Sequence, residues 1–202
     1  MHITLTNTGK RFNRDWIFRH LTCSFLPQKK YAITGPNGSG KSTLLQVISG
    51  SITYNEGQME FYDEQLIEPE QHFRHISMAA PYLELVEEMT ASEFLSFHTS
   101  FKPFSISCSQ ALQVTGLEKA AQKEIRYFSS GMKQRLKLAQ AFFCASPVLL
   151  LDEPTTNLDA EGIALYHFLI ENYTAKKLVV ISSNDKQEYS FCDEVIEITR
   201  FK

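Results

Sequence analysis

One segment constrains this chain more than any other: Tyr31, Ala32, Ile33 and Thr34, followed at once by Gly35, Pro36, Asn37, Gly38, Ser39, Gly40, Lys41 and Ser42. The first four residues read as a strand. From Lys41 to Ile48 the apolar spacing is helical, and Gly50 follows as a C-terminal stop. A strand, a glycine-rich turn and a helix are the setting in which G-x-x-x-x-G-K-[ST] has meaning. Glycines let backbone N–H groups turn inward and cradle phosphate oxygens without a Cβ in the way. Lys41 is then expected to reach the β- and γ-phosphates and Ser42 to ligate Mg²⁺, with the positive end of the helix aimed at the same charge.

A second segment supplies the complement. Val148, Leu149, Leu150 and Leu151 form the short apolar run of a buried parallel strand, and they deliver Asp152 and Glu153 to the carboxyl edge of a sheet. Ligands of open α/β sheets bind at that edge. Asp152 is expected to hold Mg²⁺ through water, and Glu153 to orient and deprotonate an attacking water. Two acids at a strand end are by themselves a solvated surface feature. With Lys41 and Ser42 upstream, they become the other half of a nucleotide–Mg²⁺ site.

Strands and helices alternate through the rest of the chain. Residues 3–5, 58–62, 178–181 and 195–198 read as strands, the second of them facing solvent. Thr90 and Glu93 match a capping box opening a helix that carries Phe94, Leu95 and Phe97. A helix starting near Ser130 carries Leu136, Ala139 and Phe143 and ends before Pro147, and another covers about 160–173. This alternation predicts an α/β domain with a mostly parallel sheet, interrupted over roughly 78–136 by a helical subdomain. At 202 residues, 43% hydrophobic and 21% charged, a single domain over 1–202 is the expectation.

The net charge of −3 predicts no strong pull toward nucleic acid or anionic lipid. No apolar stretch approaches the roughly 20 residues of a spanning helix, so no direct membrane insertion is expected. Residues 1–6 show no signal-peptide core, which gives a cytoplasmic expectation. Cys23, Cys108, Cys144 and Cys192 form no C-x-x-C pair and read as small buried thiols. His72 and His75 could share a helix face, but no nearby cysteine or histidine completes a metal shell.

Together these motifs resemble the nucleotide-binding subunit of an ATP-binding cassette (ABC) transporter, over nearly the whole chain. Residues 35–43, ending at Thr43, look like the Walker A loop, and residues 148–153 like the Walker B strand with its catalytic base. Pro154, Thr155, Thr156, Asn157, Leu158 and Asp159 are similar to the stretch that runs into the D-loop. Phe128, Ser129, Ser130, Gly131 and Met132 match the L-S-G-G-Q signature in position and in three residue classes. The resemblance implies a phosphate-loop NTPase core with a small antiparallel β part on the N-terminal side and a helical subdomain carrying the signature.

It also implies an ATPase that binds ATP and Mg²⁺. Gly35, Pro36, Asn37, Gly38, Ser39, Gly40, Lys41, Ser42 and Thr43 would bind ATP, with Ser42 and Asp152 on the metal. Ser129, Ser130 and Gly131 offer a helix start to an anion, and in the family that anion belongs to the ATP of the opposite subunit. Asp159 is the acid of the adjoining D-loop. One phosphate loop and one signature per chain imply a head-to-tail pair, a homodimer or a dimer with a related cassette. A separate membrane permease is the further partner, which would hold the subunit peripherally on the inner face of the cell membrane. Phe12 stands where the family usually carries an adenine-stacking aromatic; Trp16 competes with it, and core packing competes with both.

Two departures bear on mechanism. Where the family commonly has a glutamine, this chain reads Met78, Ala79, Ala80, Pro81, with Gln71 outside the match; Tyr82, Leu83, Glu84 and Leu85 then line the expected permease groove. Where the family has its switch histidine, Asn184 precedes Asp185, and asparagine donates a neutral hydrogen bond but carries no proton. The expectation is a slow ATPase with Glu153, Asn184 and Lys41 as its catalytic groups, driving transport with export favoured. The alternatives are a non-hydrolysing regulatory cassette paired with an active one, and a soluble cassette ATPase acting on ribosomes or DNA.

Overall fold

A computed structural model describes residues Met1–Lys202 and sorts the strands into two sheets. The first sheet is antiparallel and contains β1 (His2–Phe12), β2 (Asp15–Phe25), β4 (Glu56–Asp63) and β5 (Gln65–Ile67), in the order β2-β1-β4-β5. The second contains β3 (Lys30–Thr34), β6 (Ile76–Ala79), β7 (Val148–Asp152), β8 (Leu178–Ser182) and β9 (Glu194–Glu197). Its order is β6-β7-β8-β3-β9, and every pairing is parallel.

Helix α1 (Lys41–Ile48) follows β3. Helices α2 (Ala91–Thr99), α3 (Cys108–Val114) and α4 (Ser130–Phe143) fill the connection from β6 to β7. Helix α5 (Ala160–Tyr173) lies between β7 and β8, and α6 (Lys186–Tyr189) between β8 and β9.

The apolar runs of β7 and β8 are buried at every position because both faces of their sheet are covered. Side chains alternate across a strand, so each run divides between two cores. Val148, Leu150, Leu178 and Val180 pack with Leu44 and Leu45 of α1 and with Phe18 and Phe25 of the antiparallel sheet. Leu149, Leu151, Val179 and Ile181 pack with Leu136, Phe142, Phe143 and Tyr166 of α4 and α5. Thr90 and Glu93 close their capping box at α2, and Ser107 with Gln110 closes a second at α3. Gly50, with φ of +76°, lies just past the last residue of α1's cap.

Some expectations need correction. Strand β2 carries no period-2 signal, because its fully buried residues are Phe18, Leu21 and Phe25, a spacing that reads as helical. Register shifts against β1 and the positive φ of His20 produce that spacing. The strand expected at 195–198 spans Glu194–Glu197, and the buried Ile198 opens a 3₁₀ segment. β4, expected to face solvent, instead turns Met59 and Phe61 to the core; Phe61 is fully buried and stacks on His72 at 3.9 Å between ring centroids. His72 and His75 lie in a 3₁₀ turn (Pro69–His75), where His72 Nε2 pairs with the Ile67 carbonyl oxygen at 3.0 Å. Of the thiols only Cys144 is buried; the other three are half-buried.

Candidate active site

The phosphate loop leaves the carboxyl end of β3 and enters α1 through two glycines in left-handed conformations, Gly38 at φ +75° and Gly40 at φ +106°. A Cβ on Gly40 would lie 2.4 Å from Ile17 Cγ2, so the loop rests directly on β2. The loop is closed by the Ser39 N–H donating to the Pro36 carbonyl at 3.0 Å. Lys41 Nζ donates to the carbonyls of Gly35 at 2.8 Å and Pro36 at 3.3 Å. Asn37, Gly38, Gly40, Lys41, Ser42 and Thr43 line a cavity of about 210 Å³ together with Ile17 and with Glu153, the residue just past β7.

Asp152 ends β7 opposite Ser182 of β8 and is 2% exposed. Its Oδ1 is buried with no hydrogen-bond partner, as are the hydroxyls of Ser39 and Ser182. A buried carboxylate oxygen without a partner costs free energy, so the donor set fits a cation or a cation's water. No group of three His, Cys, Asp or Glu side chains could cage a metal, so Asp152 and Ser42 could hold Mg²⁺ only alongside phosphate and water oxygens. Glu153 follows at φ +42°, its N–H donating to the Ser182 carbonyl at 2.9 Å. It lines both the loop cavity and a second, polar cavity of about 240 Å³ with Thr155, Ser183, Asn184 and Glu188.

Asn184 Nδ2 donates to Asn37 Oδ1 at 2.9 Å, joining the segment after β8 to the phosphate loop. Ser129 caps α4, accepting from the Met132 N–H at 3.2 Å, and leaves Ser130 and Gly131 in its first turn. Asp159 caps α5, accepting from the Gly162 N–H at 2.9 Å and from Arg135 at 3.2 Å. The Gly162 N–H first, and Arg135 second, hold its carboxyl below the usual range. The start of α4 touches the loop leading to Asp159: a Cβ on Gly131 would lie 3.2 Å from the Asn157 carbonyl oxygen.

The two aromatic candidates differ in setting. Trp16 is half-buried, lies against Gly9 and receives the guanidinium of Arg19 at 4.5 Å and of Arg11 at 5.5 Å. Phe12 is 47% exposed, with Lys10 Nζ at 4.8 Å from its ring centroid. Beyond β6, Lys137 Nζ donates to the carbonyls of Pro81 at 2.8 Å and Ala80 at 3.3 Å, fixing the turn that carries Tyr82. Burial, and then the Asp152 carboxylate, push the Tyr82 hydroxyl's pKa up.

Three contributors escape the motifs. Ile17 supports the loop, Gln134 Nε2 donates to the Pro154 carbonyl at 2.8 Å, and Glu188 accepts from Thr155. No local sequence pattern pointed to any of them: Ile17 lies in the irregular strand β2, and Gln134 and Glu188 act through bonds spanning 20 and 33 residues.

A glycine-rich loop entering a helix, beside a parallel strand that ends in two acids, defines a phosphate-loop ATPase. Comparison with known proteins narrows this. The ABC transporter family matches residues 18–156, and the chain belongs to that family as a nucleotide-binding subunit. It is 30% identical over 200 residues to an uncharacterized ABC transporter ATP-binding protein of Bacillus subtilis, covering 97% of this chain and 92% of the relative. It is 32% identical over 189 residues to the cytochrome c biogenesis ATP-binding export protein CcmA of Rhizobium etli, covering 91% of this chain and 87% of the relative. Among solved structures, a putative ABC transporter ATP-binding protein of Pyrococcus furiosus superposes with a TM-score of 0.84 over all of both chains at 18% identity. An ATP-binding cassette dimer bound to ADP and Pi superposes with a TM-score of 0.83 at 22% identity, over 97% of this chain and 94% of that one. These two likenesses establish the fold. The chain is an ABC ATPase subunit that binds ATP.

Proposed function

We propose that this subunit hydrolyses ATP slowly, paired head to tail with a second cassette, and drives a separate membrane permease in export. The observation that carries hydrolysis is Glu153, which lines the cavity of the phosphate loop and also that of Asn184. Lys41 and the loop N–H groups bind the phosphates, while Phe12, the freer of the two aromatics, stacks on adenine. Ser42 and Asp152 would hold Mg²⁺, which would supply charge neutralisation to the phosphates. Glu153 orients a water and accepts its proton, and Asn184 turns its amide from Asn37 to the γ-phosphate as a neutral donor.

Ser129, Ser130 and Gly131 of each subunit complete the partner's site, because one chain carries one loop and one signature. The permease reading is supported by large apolar side chains left uncovered on and just after α2, with Phe97 50% and Phe101 71% exposed. No helix is long and apolar enough to cross a membrane. Export is favoured by the relatives named as export proteins. A second reading, a regulatory cassette without turnover, is favoured by Asn184 and by Ala80-Pro81 where a glutamine was expected.

The test is MgATP turnover by the purified subunit, alone and with the membrane protein that co-purifies with it, against Glu153→Gln. Turnover above that variant supports the enzyme. Turnover equal to it in both states leaves a nucleotide-gated clamp and refutes hydrolysis.

A further inference from the structure

We infer that Glu188 is a positioning residue for Glu153: its buried carboxylate fixes the loop that carries the base and sets that loop's distance from Asn184. The inference rests on the hydrolytic reading above. Glu188 is 3% exposed and is assigned no role by any motif. Its Oε1 accepts twice from one residue, from the Thr155 N–H at 2.7 Å and from the Thr155 hydroxyl at 2.5 Å. One oxygen thus holds both the backbone and the side chain of Thr155, which fixes that residue more tightly than a single loop bond does.

The loop needs such a contact. Glu153 is held at φ +42°, a conformation that side chains with a Cβ rarely adopt and that persists only where neighbours enforce it. Three successive residues are pinned from three directions. Glu153 N–H donates to Ser182 of β8, the Pro154 carbonyl accepts from Gln134 of α4, and Thr155 donates to Glu188 of α6. Gln134 is itself buried, so the signature helix bears on the same loop.

Helix α6 has only four residues and cannot hold itself in place. The Tyr166 hydroxyl of α5 donates to the Glu188 carbonyl at 2.6 Å, and Asp185 caps the helix by accepting from the Gln187 N–H at 2.9 Å. Asn184 directly precedes that cap. One carboxylate therefore joins the segment bearing the base to the segment bearing the γ-phosphate donor. Both groups line the same polar cavity. A base displaced by about an ångström loses on the order of a hundredfold in rate while substrate binding is spared.

The test compares Glu188→Ala, Glu188→Gln and Thr155→Val with the wild-type chain, measuring kcat and KM for MgATP and amide hydrogen exchange at Thr155. Glu188→Ala is expected to lower kcat about tenfold to a hundredfold with KM within about twofold, and to speed exchange at Thr155. Glu188→Gln keeps the acceptor oxygen and is expected to recover most of kcat and the slow exchange. Thr155→Val keeps the N–H bond, loses the hydroxyl bond and is expected to fall between. If Glu188→Ala does not fold, Thr155→Val against Thr155→Ser carries the same comparison, with Thr155→Ser near wild type. A folded Glu188→Ala with wild-type kcat, or a Glu188→Gln as slow as Glu188→Ala, overturns the inference and leaves the ATPase intact. A wild-type chain no faster than Glu153→Gln overturns the ATPase reading, and the catalytic role of Glu188 with it.

Discussion

Two glycines of the phosphate loop allow the loop's support to be measured. Gly38→Ala and Gly40→Ala add the same methyl group to neighbouring positions, yet the structure gives them different consequences. Both sit at positive φ, where an alanine is strained by about 1–2 kcal/mol. A Cβ at Gly38 meets nothing within 4 Å, so strain is the whole cost. A Cβ at Gly40 lies 2.4 Å from Ile17 Cγ2, which adds overpacking of about 1–3 kcal/mol. The sums are about 1–2 kcal/mol for Gly38→Ala and about 2–5 kcal/mol for Gly40→Ala. Urea denaturation of both variants, each with and without Ile17→Ala, isolates the contact. The coupling between positions 40 and 17 should be about 1–3 kcal/mol, and that between 38 and 17 within about 0.5 kcal/mol of zero. MgATP affinity should follow, because a loop pushed off β2 misdirects its N–H groups, and one such bond to a charged oxygen is worth about 1.5–3 kcal/mol, or roughly tenfold or more in Kd. Equal destabilisation by the two alanines, together with no coupling to Ile17, would refute the claim that β2 supports the loop.

Other perturbations have equally definite outcomes. Asn184→Ala should lower kcat by about 10²- to 10³-fold if the amide donates to the γ-phosphate, read by steady-state hydrolysis at saturating MgATP. Thr90→Ala breaks the capping box of α2 and should cost about 1 kcal/mol by urea denaturation. Burial and the nearby Lys102 charge hold His98 at about 4, below its ordinary value of 6.5. Above 6.5 the imidazole is neutral folded or unfolded; between 6.5 and 4 only the unfolded chain takes up the proton, so stability falls as pH falls through that window. His98→Gln should flatten that part of the urea-midpoint profile.

The parts of this molecule legible in the sequence are those encoded by neighbours in the chain. Residues 35–42, the acids after β7, the cap at Thr90 and the serine that opens α4 each depend on spacings of a few residues. The all-buried runs of β7 and β8 were legible as parallel strands for the same reason. Strand β2 was not, because bulged pairing with β1 moves its buried side chains to a helix-like spacing. Gln134 on Pro154 and Glu188 on Thr155 were not, because each bond spans at least 20 residues and neither partner sits in a pattern that announces it. The asparagine at 184 was legible as a departure, while its bond to Asn37 across the fold was not. Motifs report which groups meet the ligand; the bonds that hold those groups still are set by the tertiary fold.

The buried polar atoms without partners extend that distinction to stability. Of four such atoms, three belong to Ser39, Asp152 and Ser182, at the phosphate loop and at the adjoining ends of β7 and β8. A buried group left unpaired costs about 1–3 kcal/mol, and more when charged, so this edge is destabilising by itself and is offset by what binds there. Asp152→Ala should therefore raise the stability of the nucleotide-free chain by an amount on the order of 1–3 kcal/mol. The same substitution should abolish the MgATP-dependent gain, which for the wild-type chain is about 2.7 kcal/mol at a hundred times Kd. Thermal denaturation with and without MgATP measures both. An Asp152→Ala chain that is less stable without nucleotide, and still stabilised by MgATP as wild type is, would mean that Asp152 serves the core and that the metal site lies elsewhere.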